Sequence, residues 1–272
     1  MKIVTTTCVF PRRYPAEKAI ERLAAVGFEG LDMGLDYWNY GQDSPFMRDG
    51  YLDWAKKLRK LSDELGVPYT HAHSPSEAGH DPMIGRAIET AAALGAGYMV
   101  VHPVCERADG SDIDDPEEFI KVNAEAIEPW LGTAGEYGVV LLSENLLTGA
   151  STDPRVISRL VSAVGSDAFG WCFDTGHANC FGYGPEVLFE CENVPLSLHI
   201  QDNDGEGDDH LIPGDGNIDW DKFAQVIVKI GYKGDCVLEA HHQSVEAPDN
   251  ERETVLGRLL EAAKELCSKI SH

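Results

Sequence analysis

Eight times along the chain, an apolar and often β-branched run is followed by a segment with apolar residues at helical spacing, and this alternation restricts the possible architectures more than any other feature. Residues 3–9 form the first such run, and residues 15–26 then carry Ala19, Ile20, Leu23 and Ala24 on one stripe before Gly27 ends the helix. The same pattern predicts further strands at residues 30–33, 67–71, 98–102, 139–142, 169–173, 196–200 and 236–239. Helices are predicted at residues 51–65, 83–94, 115–137, 153–164, 219–230 and 251–267, with a weak one at 185–191. The helix from 115 opens with Asp115-Pro116-Glu117-Glu118, which supplies a cap, a first-turn proline and acidic residues suited to the helix dipole. An open, doubly wound sheet also alternates strands and helices, but no G-x-G-x-x-G follows the first strand and no unit is left over for a second domain. A single (β/α)8 TIM barrel over residues 1–272 is therefore expected, with its active site at the carboxyl ends of the strands.

The charge narrows the partners. Lysines and arginines number 22 against 46 aspartates and glutamates, a net charge of −24, which opposes nucleic acid as a partner because its binding rests on basic side chains meeting phosphates. No run of about 18 apolar residues offers a membrane span, and the first residues read directly into a strand rather than a leader, so a cytoplasmic protein without membrane contact is expected. The seven cysteines are scattered and never form C-x-x-C, and they read as reduced residues placed mostly in the core.

If the strands close into a barrel, their carboxyl ends share one face. Read in order, those ends carry His71 and His73, His102, Glu144, Asp174 with His177, His199, and Glu239. Glu144, Asp174, His199 and Glu239 fall on four consecutive strands. Three carboxylates and an imidazole form a hard ligand set for one divalent ion, Mn²⁺, Mg²⁺, Co²⁺ or Zn²⁺, which relieves their mutual repulsion. A glycine-rich loop at residues 201–216 is able to fold back and bring Asp208 and His210 near His177, with the Pro213-Gly214 turn as a further functional candidate. His102 and one of His71 or His73 are expected to face a substrate, the other being turned away by strand alternation. His80, His241 and His242 are read as peripheral, and Tyr37, Trp38 and Tyr40 as packing residues in a loop at 36–50 that suits a lid or an interface.

These residues resemble the xylose-isomerase-like barrels, a superfamily that includes sugar isomerases, epimerases and endonuclease IV. The resemblance spans nearly the whole chain and rests on the run from His71 to Pro75, Val101-His102-Pro103, Ser143-Glu144-Asn145, Phe173-Asp174-Thr175-Gly176-His177, His199-Ile200-Gln201-Asp202, His210 with Pro213-Gly214, and Leu238-Glu239. It implies a metal-dependent sugar isomerase or epimerase. In such an enzyme Glu144, Asp174, His199 and Glu239 hold the ion, and Glu144 and Glu239 remove and return a proton through a metal-bound enediolate. His177 binds a substrate oxygen, with His73, His102, Asp208 and His210 as further contacts to a small carbohydrate. The resemblance also points to a homo-oligomer. Two positions depart from the ketose 3-epimerases of the family: Ala150 and Gly205 stand where those enzymes tend to carry a substrate-binding Glu and Arg. The alternatives are an endonuclease IV-like phosphodiesterase with three zinc ions, a lyase that dehydrates an inosose, and a noncatalytic subunit.

Overall fold

The computed structural model describes residues 1–35, 44–75 and 83–270. Eight parallel strands close on themselves in sequence order. They are β1 (Ile3–Thr6), β2 (Gly30–Gly34), β3 (Tyr69–His73), β4 (Tyr98–Val100), β5 (Val140–Glu144), β6 (Phe169–Asp174), β7 (Ser197–Ile200) and β8 (Cys236–Leu238). Pairing of β1 with β8, from Ile3 opposite Cys236 to Thr5 opposite Leu238, completes the expected (β/α)8 barrel. Among the described residues, the helices are α1 (Ala16–Val26), α2 (Tyr51–Glu64), α3 (Met83–Leu94), α4 (Pro116–Tyr137), α5 (Pro154–Val164), the short α6 (Thr175–Cys180), α7 (Trp220–Ile230), α8 (His242–Glu246) and α9 (Arg252–Ile270). Tyr37, Trp38, Tyr40 and His80 lie outside the described residues.

Strand alternation divides the apolar residues between two compartments. Leu31, Leu141, Trp171, Phe173, Leu198 and Leu238 point outward into the large core beneath the helices, whereas Val100, Leu142 and Cys172, with Tyr98 and Val140, form a small cluster inside the barrel. On β5, Val140 and Leu142 thus share their inward face with Glu144. The apolar plug supports a polar floor one layer above it. Helix ends follow the sequence cues: Asp115 Oδ1 accepts from Glu118 N at 2.8 Å at the start of α4, and Gly138, at φ 69°, ends it by donating to Ala134 O.

Several boundaries differ from expectation, among them the end of the fourth strand at Val100, two residues before His102. The first strand stops at Thr6, and residues Thr7–Val9 form a 3₁₀ turn because the Thr6 hydroxyl accepts from Cys8 N at 3.3 Å and caps it. The third strand begins at Tyr69 rather than at residue 67, so it carries His73 as its last residue. The weak helix at 185–191 is a 3₁₀ turn, Pro185–Phe189. No disulfide joins the seven cysteines, and Cys8, Cys105, Cys172 and Cys236 are buried. Among the described residues no helix is long and apolar enough to cross a membrane.

Candidate metal centre

Register brings the acidic strand ends together. Glu144 ends β5, Asp174 ends β6 directly opposite His199 of β7, and Glu239 follows β8 with its N–H donating to Ile200 O at 3.0 Å. One potential ligand atom from each of Glu144, Asp174, His199 and Glu239 lies within 4.8 Å of the others. His199 Nδ1 stands between Glu144 Oε1 at 2.7 Å and Glu239 Oε2 at 3.0 Å. Glu144, Asp174 and His199 are almost wholly buried. Glu144 Oε2 and Asp174 Oδ2 have no hydrogen-bond partner despite that burial, a state that ordinarily costs about 1–3 kcal/mol or more per group unless a cation meets them. The donor chemistry and the two orphaned oxygens fit a hard divalent ion.

The turn after β6 is built to aim these groups. Asp174 caps α6, its Oδ1 accepting from His177 N at 2.7 Å, while Asn145 grips the Asp174 backbone, its Oδ1 accepting from Asp174 N at 2.9 Å and its Nδ2 donating to Asp174 O at 3.0 Å. Gly176 is required by contact, since a Cβ there would stand 2.2 Å from the Gln201 carboxamide. Gln201 in turn donates to Asp208 Oδ1 at 2.6 Å and Asp174 Oδ1 at 3.3 Å, so one side chain braces the floor against the loop above it. That loop folds back as expected: His177 Nε2 and His210 Nε2 lie 3.4 and 3.0 Å from Asp208 Oδ2, and these three form a second group able to hold an ion. The Pro213-Gly214 turn shapes the loop instead of lining the cavity, with Gly214 N donating to Asp202 Oδ2 at 2.7 Å.

A third group joins His73 to Glu144 and His199. His73 Nε2 and His102 Nε2 share a hydrogen bond at 2.9 Å, His102 Nε2 lies 3.5 Å from Glu144 Oε2, and His73 Nδ1 lies 3.7 Å from Glu239 Oε1. Each catalytic candidate therefore presents one oxygen to His199 and the other to an imidazole of β3 or of the loop after β4.

The charges compensate one another through protons. Burial opposes ionisation of Glu144 and Glu239, yet His199 outweighs it and holds both carboxyls below the usual range. Burial likewise opposes a charge on His199, but Cys172 and then the carboxylates of Glu144 and Glu239 hold its pKa well above that of free imidazole. Burial, together with Glu144 and Glu239, pushes Asp174 up to about 7. Against burial, Asp174 and Asp208 raise His177 to about 10, and Asp208 raises His210 to about 9.

Above the floor lies a cavity of about 170 Å³, lined by Glu144, Glu239, all five expected substrate contacts (His73, His102, His177, Asp208, His210), Cys8 and His241. A cavity of about 260 Å³ between α6 and α7 contains none of these groups. Three expectations need correction. Alternation does not separate His71 from His73, because residues two apart share a face. Both point inward: His73 lines the cavity, while His71 lies a layer deeper and stacks on Tyr98 at 5.2 Å. His241 is not peripheral, since it lines the cavity and stacks on His210 at 4.1 Å; its place two residues beyond Glu239, in the same phase, was the available signal. Cys8 turns toward the cavity because the first strand ends early. His242 is exposed, as expected, and faces Glu246. Neither Ala150 nor Gly205 lines the cavity.

Known proteins agree with this architecture. The chain is 26% identical over 258 residues to inosose dehydratase of Lacticaseibacillus casei, covering 85% of this chain and 84% of that protein. It spans about half the length of two uncharacterized relatives, from Sinorhizobium fredii and Methanocaldococcus jannaschii, which it matches at 31% and 29% identity. Among solved structures, a D-tagatose 3-epimerase-like protein superposes with a TM-score of 0.72 at 22% identity, over 97% of this chain and 99% of its own. The IOLI protein with a binding zinc atom superposes with a TM-score of 0.76 at 17% identity, over 100% and 98%. The model of the family described as xylose isomerase-like TIM barrel matches residues 20–266, and the chain belongs to that family.

Proposed function

We propose that the protein is a divalent-metal-dependent isomerase or epimerase of a small carbohydrate. The observation that carries this reading is the buried set of Glu144, Asp174, His199 and Glu239, with two unpartnered carboxylate oxygens, at the floor of a cavity walled by imidazoles. A divalent ion, when bound by these four residues, supplies the positive charge that acidifies a C–H bond beside a carbonyl. Glu144 and Glu239, held ionised by His199, serve as the bases that take the proton from one face and return it at the other. His102 and His73, beside the outer oxygens of those glutamates, orient the carboxylates and contact substrate oxygens. His177 and His210, fixed on Asp208, donate to hydroxyls from the opposite loop.

The names borne by similar proteins support this reading, being an epimerase-like protein and an inosose dehydratase; a dehydration also begins by removing a proton beside a carbonyl. Solvent-deuterium incorporation followed by NMR over a panel of ketoses and inososes tests it, because exchange identifies the acidified carbon even without net reaction. No exchange with any member would remove the reading.

A second reading is favoured by one observation: His177, Asp208 and His210, and His73 with Glu144 and His199, form two further groups whose ligand atoms converge. A centre of three zinc ions acting on a phosphodiester draws on those groups. Elemental analysis separates the two, with about one ion per chain for the isomerase and about three for the phosphodiesterase.

A further inference from the structure

We propose that Cys236 and Cys267 form a redox modification site, a thiol pair that a hydroperoxide converts reversibly to a disulfide between the first residue of β8 and the last turn of α9. The pair lies at the amino ends of the strands, away from the acidic floor at their carboxyl ends, and is independent of the isomerase reading.

Strand and helix periodicity bring the two sulfurs together. Alternation along β8 turns Cys236 and Leu238 outward, so Cys236, paired with Ile3, joins the core beneath the helices. On α9 the buried stripe runs through Leu256, Leu259, Leu260, Ala263 and Leu266. Cys267 lies four residues after Ala263 and packs, partly buried, against that same core. The Cys236 thiol donates a hydrogen bond to Cys267. Cys267 Sγ also lies 3.8 Å from Met1 Sδ, and the first residues are held beside the strand, with Lys2 N donating to Asp235 Oδ1 at 3.1 Å and Cys236 N to Lys2 O at 2.9 Å.

The two thiols differ as a stepwise oxidation requires. Cys236 is buried, whereas Cys267 is partly exposed. The hydrogen bond from Cys236 holds Cys267 below the ordinary thiol range, against burial and the carboxylates of Glu29 and Asp235, and Cys236 itself is held well above that range. Burial instead pushes the other partly exposed cysteines up, Cys191 to about 12 and Cys180 to about 11. Cys267 is therefore the attacking sulfur. Its thiolate attacks one peroxide oxygen, forming an S–O bond and breaking O–O, and the released hydroxide takes up the Cys267 proton as water. The Cys236 sulfur then attacks the sulfenic sulfur of Cys267. The S–S bond forms, S–O breaks, and the departing oxygen leaves with the Cys236 proton as a second water. Two thiols are oxidised by two electrons and one peroxide is reduced to two waters.

The test treats the reduced full chain with hydrogen peroxide and maps its peptides by mass spectrometry without reduction. A peptide pair joined through Cys236 and Cys267, lighter by two hydrogen atoms and separated again by dithiothreitol, is expected. In the reduced protein at neutral pH, iodoacetamide should label Cys267 about tenfold faster than Cys191 or Cys180. In Cys236→Ser, Cys267 should stop at the sulfenic acid and be captured by dimedone. Peroxide should raise the melting temperature of the wild type, by closing the loop from residue 236 to 267, and leave that of Cys267→Ser unmoved. The proposal is overturned if peroxide leaves both thiols reduced, adds oxygen to Met1 alone, or joins Cys267 to a different cysteine. Equal labelling of Cys191, Cys180 and Cys267 overturns the choice of Cys267 as the attacking thiol. The peptide map and the labelling rates are read on the wild type, so they decide the matter even where a variant fails to fold.

Discussion

The two halves of the barrel mouth carry different chemistry. From β5 to β8 the strand ends present Glu144, Asp174, His199 and Glu239, deeply buried and converging on one point. Among the described residues from β1 to β4, the strand ends and the loop after β4 present threonine, glycine and imidazole; Asp32, the one carboxylate in those four strands, sits opposite His71, two residues below the end of β2. On the proposed reading, the difference separates holding a cation from shaping what meets it. On that reading, carboxylates concentrated on consecutive strands hold the ion, and the described imidazoles of the other half serve as donors for hydroxyls.

The contrast breaks most sharply if the acidic half is disarmed. His199→Ala is expected to abolish ion binding, with elemental analysis as the readout, and its melting temperature should no longer respond to a chelator. In the wild type, an ion present at a hundredfold above its Kd contributes about 2.7 kcal/mol. At about 2–4 °C per kcal/mol, chelation then lowers Tm by several degrees. Glu144→Gln should reduce kcat by about 10²–10⁴-fold, with ion content measured in parallel to separate a lost base from a lost ligand. His73→Gln, on the neutral half, should raise KM by about tenfold, the scale of one hydrogen bond of about 1.5 kcal/mol, and leave ion content unchanged. Equal loss of the ion in this variant would show that the halves do not divide the labour. Gly176→Ala drives a methyl into the Gln201 carboxamide and is expected to cost about 1–3 kcal/mol by denaturant titration, since Gln201 links Asp174 to Asp208. His242→Ala, on the exposed side of the same turn as His241, should stay within about 0.5 kcal/mol in stability and leave kinetics unaltered.

The acidic half was legible because strand ends can be located from apolar runs, and a carboxylate at the end of a buried run has few bland explanations. Once the barrel was inferred, the convergence of Glu144, Asp174, His199 and Glu239 followed from strand order alone. The neutral half was harder. Whether His73 or His71 reaches the cavity depends on depth along one inward face, which periodicity does not encode. Cys8 was hidden by a hydroxyl cap that ends β1 three residues early. His241 depends on a stacking partner thirty-one positions earlier, in a loop whose path is set by Asp202 accepting from Gly214 N and Trp220 Nε1. Local pattern reports which elements form; it does not report where a glycine-rich loop returns.

His102 differs from its neighbours in one respect: its side chain is 41% exposed, against 9% for His177 and 12% for His73. Among these three imidazoles, His102 is the one most open to solvent. A residue at a threshold governs arrival and departure as well as grip, so bulk added at position 102 should slow exchange of ligand with solvent while the ion beneath stays in place. The same exposure opens His102 to an imidazole-directed acylating reagent more than His73 or His177, and protection of that ring by a bound sugar, read at His102 apart from the exposed His242, gives a measure of occupancy that requires no turnover.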